Sequence, residues 1–484
     1  MNGYKTVTAL VSAVAPAAAV ASDRVSVNRI SAISSDLIDR LVWTSVFGGE
    51  PELRGTSRWV LRSFAAAAGI HPASIHECYM AMGRGEAGGF TVPAINVRAM
   101  AYDTARAVIR AAKRLNAGAF IFEISRSEME YTEQRPHEYA AVVLGAALRE
   151  GFTGPVFIQG DHVQANARKY YSTARDEELG ALYALITEEL AAGFLNIDID
   201  TSTLVDLSKA TLDEQQQTNT SLAAEFTAFI REREPRGVTT SVGCEIGEVG
   251  GKNSDVHELH AFMKGYNAEL KKRRADAAGI SKISVQTGTA HGGFINPDGT
   301  VRTDVKIDLK TLEELSRVAR REYGLGGVVQ HGASTLPADA FGAFPRAGAC
   351  EIHLATDFLN LLYDHPRLPA DLKSEMYAWI AEHAAAERNA KDTEEQFIYK
   401  TRKKAIGPFK KRLWSLPEDV RSAIGQSLEE RFAFLMGKLG INDTADTVAK
   451  FVKVPQLPID RDAEIGAAGG KITAAERKAE GLAD

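Results

Sequence analysis

The sequence is short of cysteine. Cys78, Cys244 and Cys350 are the only three in 484 residues, and they lie far apart. That excludes a disulfide framework and a closely spaced thiolate metal site, and it suits a reducing cytoplasm. A basic excess is also missing. The 57 Lys and Arg stand against 63 Asp and Glu, a net charge of −6, whereas nucleic-acid binders carry the opposite balance. No apolar run approaches the roughly 18–20 residues of a membrane span. Val7–Ala21 follows Lys5, contains Ala17-Ala18-Ala19 and comes nearest to a secretory signal. It has one Leu, no Ile or Phe, and an internal Pro16. It reads as a small-residue helix or a frayed terminus. No internal repeat is present.

What remains is an ordinary globular balance, 45% hydrophobic and 25% charged. The length suits one large barrel with extensions. Eight short β-prone runs alternate with helical stretches in the middle of the chain. They are Phe90–Asn96, Ala119–Ser125, Pro155–Asp161, Leu195–Asp200, Val238–Glu245, Lys282–Gln286, Gly327–His331 and Glu351–Ala355. Such runs suit parallel strands buried on both faces. Between them, Ala101, Ala105, Val108, Ile109 and Ala112 keep the spacing of one buried helical stripe. Leu222, Phe226, Phe229 and Ile230 do so before Pro235. Leu309, Leu312, Leu315, Val318 and Ala319 do so before Gly324, a suitable C-cap. Eight such units predict an α/β fold, a (β/α)8 barrel over residues 90–360. A doubly wound open sheet would place a Gly-rich turn after the first strand, and Val97-Arg98-Ala99-Met100 lacks one. Residues 1–89 and 361–484 read as mainly helical extensions, the second ending in a loose tail. The basic clusters Arg402-Lys403-Lys404 and Lys410-Lys411-Arg412 read as solvated helix faces.

Barrel chemistry sits where strands end in the chain direction. The predicted ends carry Asn96, Ser125, Asp161-His162, Asp200, Glu245, His291, His331 and Thr356-Asp357. Three imidazoles at one mouth make a divalent-metal site, with a position left open for substrate. The alternative is three unrelated histidines, each satisfied by backbone. Gly292-Gly293 and Gly332-Ala333-Ser334 follow two of these histidines. Small residues let backbone N–H groups approach an anion, so the loops suit phosphate as well as plain tight turns.

At these residues the chain resembles the class II, metal-dependent ketose-bisphosphate aldolases. The matching pieces include Val92-Pro93-Ala94-Ile95-Asn96, Gly160-Asp161-His162, Ile199-Asp200-Thr201-Ser202, Glu245-Ile246-Gly247-Glu248, Gly288-Thr289-Ala290-His291-Gly292, His331-Gly332-Ala333-Ser334 and Ala355-Thr356-Asp357. The resemblance implies a (β/α)8 barrel and zinc, or another divalent ion, on His162, His291 and His331. It implies Asp161 as acid/base at the C4 hydroxyl and Glu245 as a carboxylate near the metal. Gly292, Ser334 and Thr356 would grip phosphate, with Asn96, Ser125, Gly332 and His353 also facing substrate. A monovalent cation is a further candidate. A cytoplasmic homodimer or homotetramer cleaving fructose 1,6-bisphosphate is the expectation. The alternatives are a tagatose-bisphosphate or other keto-sugar aldolase and a non-catalytic companion subunit.

Three departures stand out. The family's mobile-loop Glu is replaced by Asn253, which leaves Asp255 or Glu248 as the candidate proton shuttle. A Gln common in the second strand is Glu123. A substrate-contacting Asn before the last strand end is His353.

Overall fold

Eight parallel strands close on themselves in chain order: β1 (Val92–Asn96), β2 (Ile121–Ser125), β3 (Gly154–Gln164), β4 (Asn196–Asp200), β5 (Ser241–Glu245), β6 (Lys282–Val285), β7 (Val328–Gln330) and β8 (Glu351–Leu354). The pairing of β8 with β1, Glu351 opposite Val92, completes the ring. The computed structural model describes residues 2–247, 252–288, 295–300, 307–334 and 336–469. Each expected strand is present, and the intervening helices pack outside, giving a (β/α)8 barrel. The expected helical stripes face inward. Ala101, Ala105, Val108, Ile109 and Ala112 are all buried on helix Ala101–Arg114. Gly324 closes helix Leu309–Tyr323 in the left-handed conformation. Among the described residues, no helix is long and apolar enough to cross a membrane.

Residues 1–89 carry short strands besides their helices. Ala18–Val20 and Val25–Val27 form an antiparallel pair. Their alternation is too short to outweigh the surrounding alanines in a periodicity argument. Ile70–Ala73 adds a ninth strand to the barrel sheet, pairing with Gly154–Phe157 at the start of β3. Residues Gln159 and Gly160 of the same strand pair with β4 instead. Asn196 fastens the fork. Its amide donates to Ala73 O and Ile158 O at 3.2 and 3.0 Å, and its Oδ1 accepts from Ile75 N at 2.9 Å.

The extensions wrap the barrel. Helix Glu418–Lys438 packs on helix Ala101–Arg114, and helix Arg461–Gly469 packs on Pro51–Ala67. Gly55 is needed there, because a Cβ would lie 2.4 Å from Ile465 Cα. The basic clusters are not wholly solvated. Arg402 and Lys410 are buried. Arg402 Nη2 donates to Asn360 Oδ1, and Lys410 pairs with Glu138 and donates to Glu133 O at 2.6 Å. Each cation is buried because a fixed acceptor meets it, which composition alone does not reveal.

The register of β3 against β4 shifts between Gly160 and Val163. A bulge of this kind re-aims side chains at a barrel rim. A Cβ on Gly160 would fall 2.3 Å from the buried Glu189 carboxylate. Gly160→Ala should therefore lower stability by about 1–3 kcal/mol, read by thermal or urea unfolding. Unchanged stability would mean that Glu189 yields freely.

Candidate active site

The bulge delivers Asp161 and His162 side by side to the mouth. His162 adopts φ +42°, a left-handed conformation unusual for a residue with a Cβ. Its ring lies 4.6 Å, centroid to centroid, from that of His331 at the end of β7. Glu245, ending β5, sits between them. Its Oε1 is 3.1 Å from His162 Nδ1 and 3.2 Å from His331 Nδ1. Asp200 Oδ2 approaches His162 Nδ1 at 3.3 Å, and Asp161 Oδ2 lies 3.7 Å from His162 Nε2. Ligand atoms of Asp161, His162 and His331 lie within 4.8 Å of one another, as do those of His162, Asp200 and Glu245.

Below the mouth lies a second polar layer. Asp198, Lys282 and Glu351 come from β4, β6 and β8, the alternate strands that build one layer of a barrel interior. Lys282 Nζ lies 2.9 Å from Asp198 Oδ2 and 2.5 Å from Glu351 Oε1, and it donates to Gln159 Oε1 at 2.8 Å. Tyr79 donates to the other oxygen of Glu351. His353 joins the two layers. Its Nε2 donates to Glu351 Oε1 at 2.7 Å, while its Nδ1 faces Glu123 Oε2 at 3.0 Å and Asp161 Oδ1 at 3.1 Å.

Burial and charge act against each other here. Burial raises Glu123 to about 8 despite the pull of His353, and raises Asp198 to about 6 despite Lys282. Burial acts to raise Asp161 too, but His162 and His353 outweigh it and hold the carboxyl below its ordinary range. Glu245 is likewise held down, against burial, by His162 and His331. Burial lowers His331 to about 4, so its neutral, ligating form prevails at neutral pH.

Residues 80–410 match the family described as fructose-bisphosphate aldolase class-II. The chain belongs to that family. Among solved structures, the chain is similar to several at low identity. One, titled a "probable tagatose 6 phosphate kinase", is from Sinorhizobium meliloti. It is 17% identical over 81% of this chain and 100% of its own, with TM-score 0.52. A fructose-bisphosphate aldolase from Campylobacter jejuni is 16% identical over 78% and 97%, at 0.43. A fructuronate-tagaturonate epimerase from Cohnella laeviribosi is 14% identical over 90% and 89%, at 0.47.

The mouth fits the divalent ion of the family. Imidazole and carboxylate donors converge there. Asp161 Oδ1 and Glu245 Oε1 are buried with no hydrogen-bond partner among the described residues. Acceptors left that way are satisfied by a cation.

The other expected site residues fall into distinct places. Asn96 donates to Glu128 and accepts from Arg98 Nε at 3.0 Å, so it supports the rim. Ser125 caps helix Arg126–Tyr131 in a capping box with Glu128. Gly332 has φ +66°, which a side chain would oppose. Ser334 Oγ accepts from Ala355 N at 2.7 Å and ties the β7 and β8 loops together. Thr356 opens helix Thr356–Tyr363 beside it. Asp255 instead caps helix Val256–Arg273, accepting from His257 N and Glu258 N at 2.9 and 3.0 Å. His291, Gly292 and Glu248 lie outside the described residues. Asp198, Lys282 and Gln159 escaped sequence reasoning, which examined strand ends rather than strand interiors. The signal was there in Asn196-Ile197-Asp198-Ile199-Asp200, an alternation that turns three polar residues to one face.

Proposed function

We propose that the chain catalyses reversible aldol cleavage of a ketose 1,6-bisphosphate, with fructose 1,6-bisphosphate the leading substrate and tagatose 1,6-bisphosphate the alternative. The observation that carries this reading is the meeting of His162, His331, Glu245 and Asp161 at the barrel mouth. His162 and His331, with His291, would hold zinc. When bound, the ion supplies a Lewis acid for the substrate carbonyl. Glu245, whose Oε1 lies between the two Nδ1 atoms, would be a carboxylate donor beside the ion. Asp161 Oδ2, on the mouth side, takes the C4 hydroxyl proton in cleavage and returns it in condensation. Gly332 and Ser334, on the loop after β7, and Thr356 after β8 suit a phosphate group.

The test is an assay of the purified chain with both bisphosphates, with and without chelator. Chelation should abolish cleavage. His162→Ala or His331→Ala should each lower bound zinc and remove activity while thermal unfolding stays cooperative. Cleavage that persists in a metal-free sample overturns the reading.

A further inference from the structure

We infer that Glu189 is a positioning residue for this site: its buried side chain, on the helix behind β3, braces the bulge that presents Asp161 and His162. It lies outside the mouth and acts through Gly160. Its effect on catalysis rests on the aldol reading of Asp161 and His162.

The bulge is what puts both residues at the mouth. Gly160 pairs with Ile197 of β4, and the next pair is Val163 with Ile199. Asp161 and His162 thus stand together opposite Asp198 alone, and His162 takes its φ of +42° there. Such a conformation persists only where the surroundings hold it. Glu189 supplies a hold from the helix side. Helix Arg175–Ala192 packs against β3. Glu189 lies near its end, where Gly193 caps the helix at φ +93° and Phe194 N donates to Glu189 O at 2.8 Å. Its backbone is therefore fixed. Both carboxyl oxygens and the carbon between them fall within 2.6 Å of where a Cβ on Gly160 would stand. The group fills the space that a side chain at position 160 would take, and it abuts the residue at which the register slips.

Glu189 is also chemically unusual for so deep a position. It is 0% exposed, and neither carboxyl oxygen has a hydrogen-bond partner among the described residues. An ionised carboxylate left that way is costly. Arg135, the cation that acts on it, is engaged by Glu188. Burial raises the Glu189 carboxyl well above its ordinary range. Glu188 adds to this, Arg135 opposes it, and Asp198 and Asp161 raise it further. The side chain is therefore an uncharged acid. A charge here would stand behind Asp161 and Asp198 and repel both. The neutral form braces the bulge and leaves the charge that faces substrate unaltered.

The test compares the full chain with Glu189→Gln, Glu189→Ala, Gly160→Ala and the double variant Gly160→Ala/Glu189→Ala. The infrared difference between wild type and Glu189→Gln at neutral pH should show the C=O band of a protonated carboxyl. A carboxylate band in its place overturns the uncharged brace. Glu189→Gln, with the same shape, should keep kcat and zinc affinity near the wild-type values. Glu189→Ala should lower kcat for fructose 1,6-bisphosphate about 10²-fold, the scale of a misplaced catalytic group, with KM little changed. It should also lose zinc more readily to a competing chelator, while unfolding stays cooperative. Unchanged kcat and zinc affinity in Glu189→Ala overturn the role. So does a loss that follows the fraction of unfolded chain, which would make Glu189 merely structural. In urea, the double variant should lose less stability than the two single losses added together. Additive losses overturn the contact with Gly160. Should Glu189→Ala fail to fold, Glu189→Val takes its place in each comparison. If the wild-type chain cleaves neither bisphosphate, the aldol reading fails, and the infrared, zinc and urea results still decide whether Glu189 braces the bulge.

Discussion

Replacing Lys282 by methionine should cost the fold about 3–5 kcal/mol, the range for removing one member of a buried ion pair. Lys282 is fully buried and bonds to Asp198, Glu351 and Gln159 at the centre of the barrel. Methionine fills the volume but leaves two carboxylates facing each other with no cation. Adding Glu351→Gln should recover part of the loss, because it removes one of the stranded charges. A double-mutant cycle by urea unfolding measures the coupling. If Lys282→Met unfolds at the wild-type midpoint, the layer does not depend on its lysine.

Asp161→Asn should slow cleavage of fructose 1,6-bisphosphate by about 10²–10⁴-fold, the usual contribution of a positioned acid/base. Exchange of the donor protons of dihydroxyacetone phosphate involves no C4 hydroxyl. It should persist, with zinc still on the histidines. The substitution removes the charge 3.7 Å from His162 Nε2 with little change of shape. Equal losses of exchange and cleavage, with zinc bound, would make Asp161 an organiser of the metal site. Unchanged cleavage would mean that Asp161 does not face the substrate.

The barrel was legible because its strands are short apolar runs ended by polar residues, and chain order alone then placed Asp161, His162, Glu245 and His331 at one mouth. The ninth strand was not. Ile70–Ala73 contains His71 and Pro72, and only its pairing with the long β3 makes it a strand. The inner charge layer was half legible. Glu123 and His353 stood out against the family pattern, but nothing local says that they meet. Their contact arises from the closing of β8 against β1 and of β1 against β2. Lys282 was hidden for a different reason. A lysine starting a strand reads as a solvated edge unless the partner strands are known to bring carboxylates to it. Asp255 also caps helix Val256–Arg273, a role that a carboxylate just before a helix commonly takes and that the sequence reading did not weigh.

The contact between helices Arg461–Gly469 and Pro51–Ala67 also bears on how the protein is made. Arg62 and Glu464 are 402 positions apart in sequence, and His137 joins the same pair. A ribosome adds about 5–20 residues per second. The face around Gly55 therefore waits roughly 20–80 s for its partner at that rate. During that interval the side of helix Pro51–Ala67 that carries Gly55 and Arg62 stands without helix Arg461–Gly469. Refolding of the full-length chain has no such delay, because both ends are present from the start. Synthesis and refolding should thus differ most in aggregation, and a chaperone that shields this side would act on the nascent chain rather than on the finished one.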